Sequence, residues 1–182
     1  MKTIASLFLV LAFIITTSCE GPVGPPGPPG EPGFDGIDAE IGTVFETDPI
    51  NFTAGNEYSV LFDFPSNFTV YNEDVVLVYI LWDVWDGKDI WRLLPQTVVI
   101  ENDGVVQYNF DYTVENVQIF LEWTTSELLP AETDNQIFRI AVLPAASMQD
   151  KSFDIGNFDS VMKSMNKNLK SIKKIDSSIQ MN

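Results

Sequence analysis

The chain has no histidine, a single cysteine and few positive charges, with 10 lysines and arginines against 26 aspartates and glutamates in 182 residues. Without histidine there is no Ser-His-Asp or Cys-His machinery and no imidazole-bound zinc. One cysteine allows no disulfide within the chain. The motifs C-x-x-C, G-x-x-x-x-G-K-[ST] and G-x-G are missing too, which removes the redox dithiol, the phosphate loop and the dinucleotide turn. A net charge of −16 opposes nucleic acid phosphates, so no nucleic acid partner is expected. Carboxylates are abundant, but a glycosidase pair is defined by its separation in space, and abundance identifies none. Neither catalysis nor a cofactor is expected.

The lone cysteine, Cys19, follows Met1-Lys2, an apolar stretch from Ile4 to Ile15, and Thr16-Thr17-Ser18. A charged start, a short apolar run and small residues before a break predict a secretory signal over 1–18. Twelve residues fall short of the ~20 that a membrane-spanning helix needs, which favours cleavage. A cysteine at the break predicts a lipidated thiol as the first residue of the mature chain, hence a membrane anchor. Thr16 departs from the leucine usual three positions before such a cysteine. The expected location is the cell envelope, at the outer membrane.

From Gly21 to Asp38 the chain reads G-P-V, G-P-P, G-P-P, G-E-P, G-F-D, G-I-D. Only glycine fits the axis of three wound polyproline II strands, so a strict period of three is collagen-like. Two outcomes stay open for the segment 19–42. One is a trimeric stalk. The other is a monomeric tether, since proline-rich chain is a semi-rigid spacer at ~3.1 Å per residue, ~55 Å for the repeat.

Downstream, about 140 residues with 45% hydrophobic and 12% aromatic content suffice for one domain. Alternation of period two over Tyr58–Phe64, Val106–Tyr112, Val117–Trp123 and Phe138–Val142 predicts half-buried strands. Val75–Trp82 is continuously apolar, as in a central strand covered on both faces. Val98–Ile100, Asn102-Asp103-Gly104 and Val105 onward read as a hairpin, and Val44–Thr47 as a first strand. Seven or eight short strands separated by prolines predict an antiparallel β-sandwich over 43–150, with a small barrel as the alternative. This segment carries 18 acids against Lys88, Arg92 and Arg139.

The segment 151–182 is basic, with six lysines against three aspartates. Ile155, Phe158, Met162, Met165, Leu169 and Ile172 recur at helical spacing, which predicts an amphipathic C-terminal helix. It could dock on the sandwich, self-associate or touch an anionic membrane.

One stretch stands out as a surface candidate: Trp82, Asp83, Trp85, Asp86, Asp89 and Trp91. Tryptophan faces stack on sugars and carboxylates bond hydroxyls, so this patch could hold a glycan. The aspartates could also ligate calcium, although their spacing is not that of the twelve-residue loop. The simplest reading is a hairpin turning at Asp86-Gly87 with tryptophans packed across the strands.

Taken with Cys19-Glu20-Gly21-Pro22 and triplets ending Gly33-Phe34-Asp35-Gly36, the chain resembles small collagen-like lipoproteins of Bacteroidota, of flavobacterial type, with a β-rich domain. Asp74-Val75-Val76-Leu77-Val78-Tyr79, Trp91-Arg92-Leu93-Leu94-Pro95-Gln96-Thr97, Tyr108-Asn109-Phe110-Asp111 and Asn135-Gln136-Ile137-Phe138-Arg139 are similar to that group. The resemblance covers about residues 1–145 and excludes the lysine-rich tail. It implies a lipid-anchored envelope protein with no catalytic residues to carry over. Partners expected on these grounds are the membrane, a homotrimer through the Gly-x-y segment, and a glycan or envelope protein.

Overall fold

Among the described residues, alternating and continuous apolar runs become nine strands in two mostly antiparallel sheets, packed face to face and not closed into a barrel. The computed structural model describes residues 42–145, 147, 154–165 and 171–178. The signal segment, Cys19 and the glycine repeat lie outside the described residues, as do Leu169 and Ile179. The first sheet runs β4 (Lys88–Leu93), β3 (Val75–Trp85), β8 (Phe138–Leu143), β1 (Thr43–Thr47) and β9 (Lys173–Ile175). The second runs β2 (Ser59–Asp63), β7 (Asn116–Trp123), β6 (Gly104–Tyr112) and β5 (Gln96–Ile100). A helical turn, α1 (Pro130–Thr133), precedes β8, and α2 (Phe158–Ser164) follows it.

Strand β3 is covered on both faces, as its continuous apolar run predicts, and β8, expected to be half-buried, is covered on both faces as well. Val76, Val78 and Ile80, with Ile140 and Val142, face the second sheet and meet Phe62, Val106, Val117 and Ile119. The intervening Leu77, Tyr79, Ala141 and Leu143 face the other way, onto Phe158, Val161, Met162 and Met165 around α2. Both faces of the first sheet are therefore dry, and period two disappears from its central strands. The second sheet has one dry face, and its strands keep the alternation.

The tail departs from the expected amphipathic helix. Helix α2 stops at Ser164, and Lys173–Ile175 form a strand that pairs in parallel with β1, Glu46 opposite Lys174. Seven helical residues are too few to hold a helix without packing. Pairing with the open edge of β1 satisfies backbone groups and buries Ile175 in the core between the sheets, and that outweighs the helical spacing. Beyond β9, the Ser178 amide donates to the Leu61 carbonyl at 2.7 Å, so the segment reaches from the edge of one sheet to the edge of the other. Of the three roles open to the tail, α2 takes docking: its apolar side is buried against the sheet. Residues beyond 150 thus share the core of the 43–150 segment.

Two tyrosines join the layers through their hydroxyls. Tyr79 donates to the Ile155 carbonyl at 2.5 Å and Tyr108 to the Glu132 carbonyl at 2.8 Å. Burial, and secondarily the charges of Asp154 and Glu132, push both phenols above the ordinary tyrosine range. The folded state then holds these protons more tightly than the unfolded chain. Their contribution is fully present below pH ~10 and is lost as pH rises beyond it. An ultraviolet titration of phenolate is expected to show two of the five tyrosines silent until alkaline unfolding. Ionisation of Tyr79 and Tyr108 near pH ~10, with the fold intact, would contradict this assignment.

Candidate functional site

The β3–β4 hairpin outruns its neighbours. Strand β8 accompanies β3 only as far as the Ile80–Phe138 pair; beyond it β3 is paired with β4 alone, from Asp83–Ile90 to Trp85–Lys88. Asp86 (φ 52°) and Gly87 (φ 70°) close the ribbon, two successive left-handed residues as a tight two-residue hairpin turn requires. The register breaks between Leu81 and Asp83, which takes Trp82 out of the ladder.

The six residues singled out by sequence do not form one patch. Trp82 is half-buried against the core between the sheets, with the Arg92 guanidinium 4.0 Å above its ring. Trp91 packs on the opposite face, 5.9 Å from the Phe158 ring and 3.9 Å from the Arg139 guanidinium. Both rings are thereby occupied by protein. Trp85 remains, 74% exposed, beside Val84 at 55% and Ile90 at 37%. Asp83 accepts from the Val84 amide at 2.7 Å, Asp86 occupies the turn, and Asp89 approaches Arg139 at 3.9 Å. Among the described residues no three or more of His, Cys, Asp and Glu are grouped to hold a metal ion.

Strand alternation puts Asp83, Trp85, Lys88, Ile90 and Arg92 on one face of the ribbon. Lys88 and Arg92 are two of only three basic residues between 43 and 150. This ribbon is therefore apolar and of mixed charge, Lys88 and Arg92 standing among Asp83, Asp86 and Asp89, on an otherwise acidic body.

The third of those basic residues, Arg139, was not singled out by sequence and proves central to the fold. It is 6% exposed on β8, clamped between the Trp91 and Phe158 rings. Its Nε and Nη2 both donate to Glu46 Oε2 at 2.8 Å. The other oxygen of Glu46 accepts from Lys174 Nζ at 3.2 Å, and Lys174 also pairs with Asp48 at 3.2 Å. Its hydrogen bond to Glu46, ahead of the other influences, holds the exposed Lys174 above the usual lysine range. One signal was available: a lone cation inside the apolar run Phe138–Leu143 demands a buried carboxylate partner. The chain of charges runs across β4, β8, β1 and β9 and reads as architecture.

A separate cleft of about 450 Å³ opens where the 49–57 segment, β2 and the last described residues, Ser177 and Ser178, meet. Sequence patterns give no hint of it, because its walls come from three distant stretches.

Comparison with protein families, with curated proteins and with solved structures finds no match for this chain.

Proposed function

We propose that this is an exported protein, lipid-anchored through Cys19 at the outer membrane, that holds a non-catalytic β-sandwich away from the membrane on its Gly-x-y segment. Its work is adhesive or structural: the domain is presented to a protein of the envelope. The leader, the lone cysteine at its end and the six glycine triplets support the anchor and the stalk. The resemblance to collagen-like lipoproteins of Bacteroidota agrees with that arrangement, and three such chains wound through their triplets would present three heads.

The observation that carries the interaction role is the β3–β4 ribbon. An exposed tryptophan beside Ile90, with Arg92 further along the same face, presents the aromatic and arginine types that anchor protein interfaces. The partner it suits is a protein surface with an apolar recess for Trp85. The six-residue glycan patch is weaker as a proposal, because Trp85 alone keeps a free ring.

The test is site-specific photo-crosslinking in intact cells, with benzoylphenylalanine replacing Trp85 in one strain and Val99 in another. Val99 is equally exposed, at 76%, on the edge strand β5. Position 85 is expected to give a discrete heavier adduct that position 99 does not. No adduct from 85, or the same products from both, would overturn the ribbon as the docking element.

A further inference from the structure

The cleft between the 49–57 segment, β2 and the tail is built in a way that the hairpin ribbon is not. Its floor is the outward side of β2 and β7, where Gln118 Nε2 donates to Ser59 Oγ at 2.7 Å. That bond fixes what remains. Among the described residues nothing takes the Ser59 hydroxyl proton or donates to Gln118 Oε1, so one can give and the other accept. A donor and an acceptor held side by side complement adjacent hydroxyls of a sugar ring, each of which both gives and takes a hydrogen bond.

The walls are fixed as well. Thr53 and Asn56 cap one another across a single turn, at 2.8 and 3.3 Å, and Asn56 Nδ2 donates to the Asn51 carbonyl at 2.9 Å. Asn51 Oδ1 in turn accepts from the Asn135 amide at 2.7 Å. Glu57 and Tyr58 follow, both at φ 52°, two successive non-glycine residues in the left-handed region. Backbone strain of that kind persists only where surrounding structure enforces it, and it concentrates at functional sites. It places Glu57 in the cleft wall. On the far side Ser178 is pinned to β2, its amide on the Leu61 carbonyl and its hydroxyl accepting from the Asp63 amide at 3.0 Å.

The lining chemistry selects the ligand. Among the described residues no lysine or arginine borders the cleft, so none of them pairs with an anion there, and Glu57 repels one. Ile50 and Leu61 offer apolar contact to the C–H face of a ring, while hydroxyls and amides dominate the rest. The volume lies within the ~300–1,000 Å³ usual for small-molecule sites. We propose that this cleft binds a neutral carbohydrate, with Ser59 and Gln118 reading a pair of adjacent hydroxyls and Glu57 accepting from a third. The site is independent of the Trp85 ribbon and of the protein partner proposed for it.

The test is titration calorimetry of the full chain in detergent against neutral gluco-, manno- and galacto-oligosaccharides and their sulfated counterparts. At least one neutral series is expected to bind saturably, with Kd no weaker than about 1 mM, and to be unaffected by added salt. The S59A/Q118A double variant is expected to lose at least ~tenfold in affinity, as two removed hydrogen bonds imply. Trp85→Ser is expected to bind as the parent does. All these side chains are at least partly exposed, and Glu57→Gln, which keeps the shape, provides a second variant should the double one unfold; it is expected to weaken binding by ~threefold or more. No saturable binding of any neutral series, a preference for the sulfated ones, or parental affinity in a folded variant of Ser59, Gln118 or Glu57 would overturn the proposal.

Discussion

A chain cut after Asp150 is expected not to fold. The cut removes α2 and β9, and with them Phe158, Val161, Met162, Met165 and Ile175, each no more than 5% exposed. Burying side chains of this size contributes about 1.5–3 kcal/mol apiece, which for five of them is comparable to the ~5–15 kcal/mol that holds a domain folded. The loss is felt twice. The outer face of the first sheet, Val44, Leu77, Tyr79, Ala141 and Leu143, turns from core into exposed apolar surface. The edge of β1 also loses its parallel partner and becomes a template for association. Circular dichroism and a dye for exposed apolar surface check this: the truncated chain should lack a cooperative unfolding transition and bind the dye strongly. A sharp transition at the parental midpoint would show that the tail is an appendage.

The second large effect is at Glu46. Replacing it with alanine leaves the Arg139 guanidinium buried between two aromatic rings, with Asp89 at 3.9 Å the one carboxylate left near it among the described residues. Breaking a buried pair from one side costs about 3–5 kcal/mol, because the remaining charge has lost both water and partner. Arg139→Met should be milder, under ~2 kcal/mol. It fills the slot between Trp91 and Phe158 with an apolar chain, and the Glu46 carboxylate left behind is 23% exposed and keeps Lys174. Denaturant unfolding of both variants measures the asymmetry. Equal losses, or a larger one for Arg139→Met, would place the stabilisation in the rings and not in the ion pair.

Much of the domain was legible from the chain because burial leaves a periodic trace. The alternation in β2, β6 and β7, the continuous apolar run of β3 and the Asp86-Gly87 turn each follow from a local rule that tertiary packing reinforces, whereas β8, expected half-buried, is buried on both faces. The tail was misread where local and tertiary rules disagree. Phe158, Met162 and Met165 are buried as helical spacing demands, yet Ile172 and Ile175 reach the cores from non-helical backbone. The pull on Lys173–Ile175 comes from an open edge and from Glu46 and Asp48, more than a hundred residues away in sequence. The tryptophan stretch forms the hairpin its turn residues imply, but its rings do not share one face. Proximity in sequence placed Trp82 and Trp91 near Trp85, but the pleat and the bulge sent them to opposite faces. The cleft left no trace, since Ser59, Gln118 and Ser177 come together only through the sheet.

Everything proposed for the whole chain turns on the thiol of Cys19. Metabolic labelling of the native chain with an alkyne analogue of palmitate, alongside Cys19→Ala, tests it directly. The native chain should carry the label and sediment with membranes, while the alanine variant should be unlabelled and released from them. Label that persists in Cys19→Ala, or a native chain that is unlabelled and free of membrane, would contradict an anchored, presented β-sandwich.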